Sequence, residues 1–399
     1  MCRDDAAVTC NAAGDDYEIV ACPNGCDSQG CIPPPDEVDC TTNAQCTNPT
    51  PVCSTEMTCR ACVADGECSS TVCDSGTGSC VLETAIVYAA VPGSATSSCS
   101  LSDPCTLDRA IQQATAGAGG KVLRLLPGAA FTTDLAVRGN TILPIVAAGA
   151  STSAKLIVQN GASVDVRGLT LTSTASGNVT CGDTTVGAPM SSLKLLDVSG
   201  AMLSVAKCNL QMRGGSAGAL STTNDAAIEA DRVRFTFPFS TISGERVQVS
   251  VKNSILAGSI SLQTSDPSAP GSKLTVAFNT FVFPPGNVLT CDVAGASFVR
   301  TELFENNIFY SATESTVVFP RRCVFTNNIL FPQATPITNN SVVDPKLVDA
   351  SGGDFHLQLS SPAINAAVAS SGLGTDHDFD GVMRPQGAAH DIGAFERLP

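Results

Sequence analysis

Phe304-Glu-Asn-Asn-Ile-Phe309 and Phe325-Thr-Asn-Asn-Ile-Leu330 lie 21 residues apart and repeat one pattern: aromatic, polar, Asn, Asn, Ile, apolar. Tracing it backwards gives one apolar anchor per unit at Leu210, Phe235, Ile255, Phe281, Ile308 and Ile329, spaced 25, 20, 26, 27 and 21 residues. A period of roughly 20 to 30 residues with little helical patterning is that of a solenoid, one repeat per turn. Two residues after the anchors stand Met212, Phe237, Ala257, Phe283, Tyr310 and Phe331; two before stand Cys208, Val233, Asn253, Asn279, Asn306 and Asn327. Offsets of two share one side of a strand, so all three columns are expected to face the interior. Asn253, Asn279, Asn306 and Asn327 are then expected to stack as an amide ladder, each bonding the next coil's side chain.

The N-terminal fifth reads differently. Thirteen of the 19 Cys fall in the first 80 residues, a density that marks a disulfide scaffold. Zinc reads poorly, because Cys59 and Cys62 form the lone Cys-x-x-Cys pair and all three His lie beyond residue 350. Cys40, Cys46, Cys53, Cys59, Cys62, Cys68, Cys73 and Cys80 form an even set expected to pair internally, and Cys99 with Cys105 a local pair. Bridges Cys181–Cys208 and Cys291–Cys323 fit the coil spacing. Cys2, Cys10, Cys22, Cys26 and Cys31 are odd in number. At least one unpaired Cys is expected there, either because its partner lies upstream of Cys2 or because Cys2 is acylated. The first is the favoured expectation.

Composition narrows the partners. With 22 Lys plus Arg against 37 Asp plus Glu, the net charge is -15, which repels nucleic acid and anionic membrane surfaces. No apolar run reaches the roughly 18 residues that span a bilayer. Disulfides imply an exported protein, at the cell surface or outside it, although no signal peptide follows Met1. The expected organisation is a Cys-rich module over 1–36, a second over 37–83, a right-handed parallel β-helix over 84–345, and a C-terminal cap over 346–399. Pro33-Pro34-Pro35 is a stiff spacer between the first two. Residues 106–114 have helical periodicity and are expected to close one end of the solenoid.

The two opening hexapeptides resemble coils of bacterial pectin-lyase-like right-handed parallel β-helix proteins. Cys99-Ser-Leu-Ser-Asp-Pro-Cys-Thr-Leu-Asp-Arg-Ala-Ile111 is similar to their N-terminal cap. Asp344-Pro-Lys-Leu347, Asp354-Phe-His-Leu-Gln-Leu-Ser-Ser-Pro-Ala-Ile364, Asp380-Gly-Val-Met-Arg-Pro385 and Asp391-Ile-Gly-Ala-Phe-Glu396 resemble the module called choice-of-anchor Q. The Cys-rich segment looks like Cys modules of myxobacterial surface proteins. These resemblances imply an all-β solenoid and an extracellular location. They imply no single activity, since the fold carries lyases, hydrolases, adhesins and inert spacers alike.

Chemistry is therefore sought on outward positions. Lys207, Arg232 and Lys252 precede three successive anchors by three residues, with Arg234 beside them. They are expected to form a basic stripe, either a glycan-binding face or an ordinary solvated one. As a catalytic surface, it would make the chain a polysaccharide lyase acting on an acidic glycan. Against catalysis stand the absence of Trp, only three Tyr and no His within the repeats. The leading expectation is a non-catalytic surface protein for adhesion, matrix assembly or glycan binding. Asp376, Asp378 and Asp380, with Gly381, match the first half of a Ca2+ loop, whose second half fails at Gly387. The competing expectation, which is preferred, has Asp380, Asp391 and Glu396 holding Arg384 around a buried Phe395. No other cofactor is expected.

Overall fold

The computed structural model describes residues 40–399 except 75, 117–120, 173–178, 183–189, 200, 206–207, 215, 223–225, 236–238, 243–247, 258–259, 265–272, 284–288, 294–302, 313–323, 333–336 and 369–375. Before residue 40 it describes the backbone of 2–3, 6–10, 17–21, 26–27 and 30–31, and for some strand residues between 201 and 293 it describes backbone only. Two compact units, Met1–Ala85 and Ile86–Pro399, are each described by themselves.

The first unit holds a duplication. Its bridges are Cys40–Cys53, Cys46–Cys59, Cys62–Cys73 and Cys68–Cys80. The eight cysteines thus pair among themselves, in two copies of one motif. Each copy begins with a short 3-10 turn, Asn43–Gln45 or Asp65–Glu67, and ends in a two-stranded hairpin. The side chain closing each turn folds back on the preceding backbone. Gln45 Oε1 accepts from Thr41 and Thr42 N–H, and Glu67 Oε2 from Val63 and Ala64 N–H. The side chain opening each turn accepts from the third cysteine's N–H, Asn43 from Cys53 and Asp65 from Cys73. The copies are tied by Asn48, which brackets the Cys80 backbone at 2.9 and 3.0 Å. A second tie is Arg60 on Glu67 at 2.5 Å. The Arg60 hydrogen bond, helped by the Val63 and Ala64 N–H groups, holds the Glu67 carboxyl down to about 2.

The second unit is a parallel β-helix, right-handed as the connection rule for parallel strands dictates. Its first sheet stacks eleven strands in parallel from Ile86–Ser94 to Val324–Thr326. A second long sheet runs from Leu135–Arg138 to Ile329–Phe331 and carries a side branch. The core follows from register. Ile145, Val166, Leu195, Met212, Ala230, Val251, Val276, Phe304 and Phe325 form one inward column on successive rungs, all buried. Phe235, Leu256, Phe281, Phe309 and Leu330 form the facing column of the second sheet, with the Phe281 and Phe309 rings stacked at 4.4 Å. The helix is Leu107–Thr115, one residue later than its pattern predicts, and buries Leu107, Ala110 and Ala114. Cys99–Cys105 and Cys181–Cys208 are bridged. A Cys291–Cys323 bridge and the thiols of residues 2–31 lie outside the described residues.

From the strand Ser163–Arg167 onward, each coil leaves the first sheet through a single left-handed residue. Gly168, Asp197, Gly214, Arg232, Asn253, Phe278, Asn306, Asn327 and Asn339 occupy this bend with φ between 48° and 66°. This bend corrects the expected columns. A left-handed residue resets the period of two, so the residue after it points inward. The buried ladder is Asn279, Asn307, Asn328 and Asn340, not Asn253, Asn279, Asn306 and Asn327. Asn279 donates to Asn307 Oδ1 at 3.1 Å, Asn307 to Asn328 Oδ1 at 2.9 Å, and Asn328 to Asn340 Oδ1 at 2.8 Å. Each amide also accepts the backbone N–H one rung below and donates to a carbonyl at the end of the first sheet. For the same reason Ile308, Tyr310, Ile329 and Phe331 leave the interior, where Phe309 and Leu330 stand instead.

Asn307 makes four side-chain hydrogen bonds while fully buried, two accepted from Asn279 and one donated to each of Val276 O and Asn328 Oδ1. Each buried group left unpaired costs about 1–3 kcal/mol. Asn307→Ala is therefore expected to destabilise the β-helix by at least ~3 kcal/mol in denaturant titration, with a larger effect than Asn306→Ala.

Candidate functional site

The left-handed row that turns the coils also presents side chains outward, and residues 346–399 sit on them. This segment is expected to cover the end of the last coil. It lies instead along the outer face of the second sheet, where Ile255, Ile308 and Ile329 pack in one cluster with Leu347, Phe355, Leu357, Ile392, Ala394 and Phe395. The last rung is met by Asn339–Ser341, whose backbone bonds Asn327, Asn328 and Leu330. The outward isoleucines that resembled interior anchors are thus apolar because a second layer covers them.

Bond by bond, the docking uses the bend. The Asn306 amide accepts from Val368 N–H and donates to Val368 C=O, both at 3.1 Å, and Asn327 donates to Ala366 C=O at 2.9 Å. Ala394 N–H donates to Thr280 Oγ1, and Gly393, at φ 100°, comes so close to Ile308 that an added Cβ would stand 2.6 Å from its Cδ1. Phe278 occupies a position where other rungs place Gly, Asn, Asp or Arg. Its ring lies 5.1 Å below the Arg384 guanidinium and 5.7 Å from the His390 ring. Left-handed backbone costs a residue with a Cβ about 1–2 kcal/mol. Full burial of a Phe ring returns up to ~3 kcal/mol, so the socket holds the strained rung.

Arg384 is the centre of the module, with its side chain fully buried. It pairs with Glu396 at 3.2 Å and donates to the carbonyls of Asp391 and Gly393 at 2.9 and 2.8 Å. Burial pushes the guanidinium down from its ordinary value, opposed by Glu396, Asp378, Asp391 and Asp231. The expected ion-pair arrangement therefore holds for Arg384, Glu396 and buried Phe395, with two changes. The Asp391 carboxylate accepts from Asn365 and Arg397 N–H, and Asp380 turns to His356.

The three candidate Ca2+ ligands do not converge. Asp376 is largely in solvent beside His377. Asp378 is buried and takes backbone N–H bonds from Asp380, Val382 and Glu396. Asp380 accepts from His356 Nε2 at 2.7 Å. Among the described residues, the groups with metal-ligand geometry consist of cysteines already joined in disulfides.

The basic stripe is likewise dispersed. Lys207 lies outside the described residues. Lys252 shares a rung position with Asp231, so it stands one residue before the bend that Arg232 occupies. It pairs with Glu229 at 3.7 Å. Arg232 lies 3.9 Å from Asp231, where a Cβ on Gly381 of the module would meet it at 3.3 Å. Arg234 points over the rings of Phe355 and Phe379 at 5.8 and 5.7 Å. These residues form module contacts and local ion pairs, not one column. The misplacement has the same origin as that of the ladder.

Fold and site together define a parallel β-helix protein with a laterally docked C-terminal module. No family model matches the sequence, and no curated protein matches it. Among solved structures the chain is similar to one described as "Crystal structure of pectate lyase Pel9A", with 13% identity, a TM-score of 0.40, and coverage of 78% of this chain and 96% of that chain. No residue role is carried over from it.

One histidine of the module is held between two carboxylates. His356 has Asp354 accepting at 2.6 Å from Nδ1 and Asp380 accepting at 2.7 Å from Nε2, with its ring on Phe395. Burial lowers its pKa, but the two carboxylates outweigh burial and raise it above the ordinary histidine value. A raised pKa stabilises the fold fully below the unfolded value and loses that contribution as pH rises through the folded one. The Asp354 carboxyl is lowered, first by its bond to His356, and its contribution is lost as pH falls. Module stability is thus expected to peak at mildly acidic pH. NMR titration is expected to place His356 above about 6.5, with Asp380→Asn bringing it down. Arg384→Ala strands Glu396 in the core and is expected to cost about 3–5 kcal/mol, read as lost amide-exchange protection over residues 376–396.

Proposed function

We propose that this chain is a non-catalytic, exported β-helix protein that serves as a rigid support in adhesion, matrix assembly or glycan binding. One observation carries this reading: of the four cations suited to neutralising an acidic glycan, the three within the described residues are engaged with the protein itself. Arg234 lies over two module rings, Lys252 faces Glu229, and Arg232 lies between Asp231 and Gly381. A lyase needs a base and charge-neutralising groups open to its substrate. Side chains used to dock a module and pair with neighbours do not supply them. Six disulfides among the described residues suit an oxidising compartment outside the cytosol. No helix among the described residues is long and apolar enough to cross a membrane. The continuous buried core of stacked rungs favours a support over a moving machine.

The competing reading is a polysaccharide lyase, and the two separate in one assay. Incubation with pectate, alginate and glycosaminoglycans is expected to give no rise in the ultraviolet absorbance of an unsaturated product. A steady rise abolished by Lys252→Ala would replace this reading with the lyase.

A further inference from the structure

The docked module covers outward positions of the second sheet and leaves a stretch of the first sheet's outer face open. Two files of outward residues cross it. Asn209, Ala227, Gln248 and Lys273 share one file, the Lys273 side chain lying outside the described residues, and Gln211, Glu229, Ser250 and Thr275 share the next. Rungs stand about 4.8 Å apart and alternate residues along a strand about 7 Å apart. Asn209 and Gln248 therefore bracket Ala227 across roughly 10 Å. Because Ala227, Ser250 and Thr275 are short where their neighbours are long, the surface sinks into a trough of about 410 Å³ lined by these two files. Asn209, Gln211 and Gln248 are exposed at its rim.

We propose that this trough binds an uncharged, polyhydroxylated glycan. The inference rests on the glycan-binding form of the function proposed above and assigns it a site and a ligand class. Three carboxamides and two hydroxyls offer both donors and acceptors, the set that matches sugar hydroxyls. The one charge on the lining is Glu229, whose carboxylate meets Lys252 at 3.7 Å and Gln211 Nε2 at 3.5 Å. Lys194, on the rung before, pairs with Asp165 at 3.4 Å. A uronate chain would meet a carboxylate here on a molecule of net charge -15, so the trough disfavours acidic polymers. A peptide is not suited either. The lining strands lie inside the sheet and hydrogen-bond on both edges, leaving no backbone ladder to extend. No aromatic side chain lines the trough, so the ligand is held by hydrogen bonds edge-on, and affinity per site is modest. Every contributing residue stands on a strand in the middle of the stacked sheet, so binding requires no rearrangement.

The test is affinity electrophoresis of the full chain through gels holding a soluble neutral β-glucan, a neutral galactomannan, or polygalacturonate. Retardation is expected on at least one neutral polymer and none on polygalacturonate. Ala227→Trp, which fills the trough from an outward position, is expected to abolish it. Gln248→Ala is expected to weaken it about tenfold, and Ser163→Trp, on the same file several rungs away, to leave it unchanged. Matched melting temperatures for native and Ala227→Trp chains exclude misfolding, and the Gln248→Ala result stands should Ala227→Trp fail to fold. Retardation that survives Ala227→Trp overturns the site and leaves the non-catalytic reading standing. Retardation on polygalacturonate alone, or on none of the polymers, overturns the ligand class. Unsaturated product in the lyase assay overturns the underlying reading instead.

Discussion

From Gly168 onward each coil leaves the first sheet through one residue in left-handed conformation, and this stacked bend is the constraint on which the other features rest. The bend sets which residues face inward afterwards, and so sets the core of the second sheet. It also turns a side chain inward at a corner where three backbone groups would otherwise lack partners. From Asn279 to Asn340 that side chain is a carboxamide, which accepts one backbone N–H and donates to a carbonyl and to the next amide. Earlier rungs place Leu169, Val198 and Val233 there, and Ser254 makes the transition: its hydroxyl accepts from Val233 N–H and its own N–H donates to Asn279 Oδ1. The corner is dry in one half of the solenoid and amide-laddered in the other.

The same bend explains why the C-terminal module docks on the side. A residue with positive φ projects outward, and on four successive rungs Asn253, Phe278, Asn306 and Asn327 offer side chains rather than a flat pleated surface. Asn306 treats Val368 as a neighbouring strand would, accepting its N–H and donating to its carbonyl. Phe278 enters a socket under a buried guanidinium. The module is held by shape and by satisfied polar groups around Arg384, with Glu396 accepting from the Gln386 and Asp391 N–H groups as well as from Arg384.

Charge is deployed for structure throughout the described surface. Arg60 with Glu67 ties two copies of a disulfide motif. Lys194 with Asp165 and Lys252 with Glu229 tie neighbouring rungs of the first sheet. Exposed pairs of this kind contribute roughly 0–1 kcal/mol each; their consequence here is that they remove cations from the outer face. The trough itself is lined mainly by amides and hydroxyls over short residues, with Glu229 as its one charged side chain.

The solenoid, its approximate period, the helix at its start, the pairing of Cys40 to Cys80 among themselves, Cys99–Cys105 and Cys181–Cys208 were all legible in the sequence. They depend on spacing and composition, which a single chain displays directly. The buried Arg384, Glu396 and Phe395 were legible too, because a charged residue beside a short apolar run calls for a partner. The register was not. Ile308 and Ile329 are apolar and Asn307 and Asn328 polar, so hydropathy alone assigns the isoleucines to the core and skips the inner amides. Only the tertiary structure decides otherwise, because a left-handed residue carries no hydropathy signal and resets the alternation by one. The lateral seat of residues 346–399 follows from that same reset: the outward isoleucines need cover, and the module provides it.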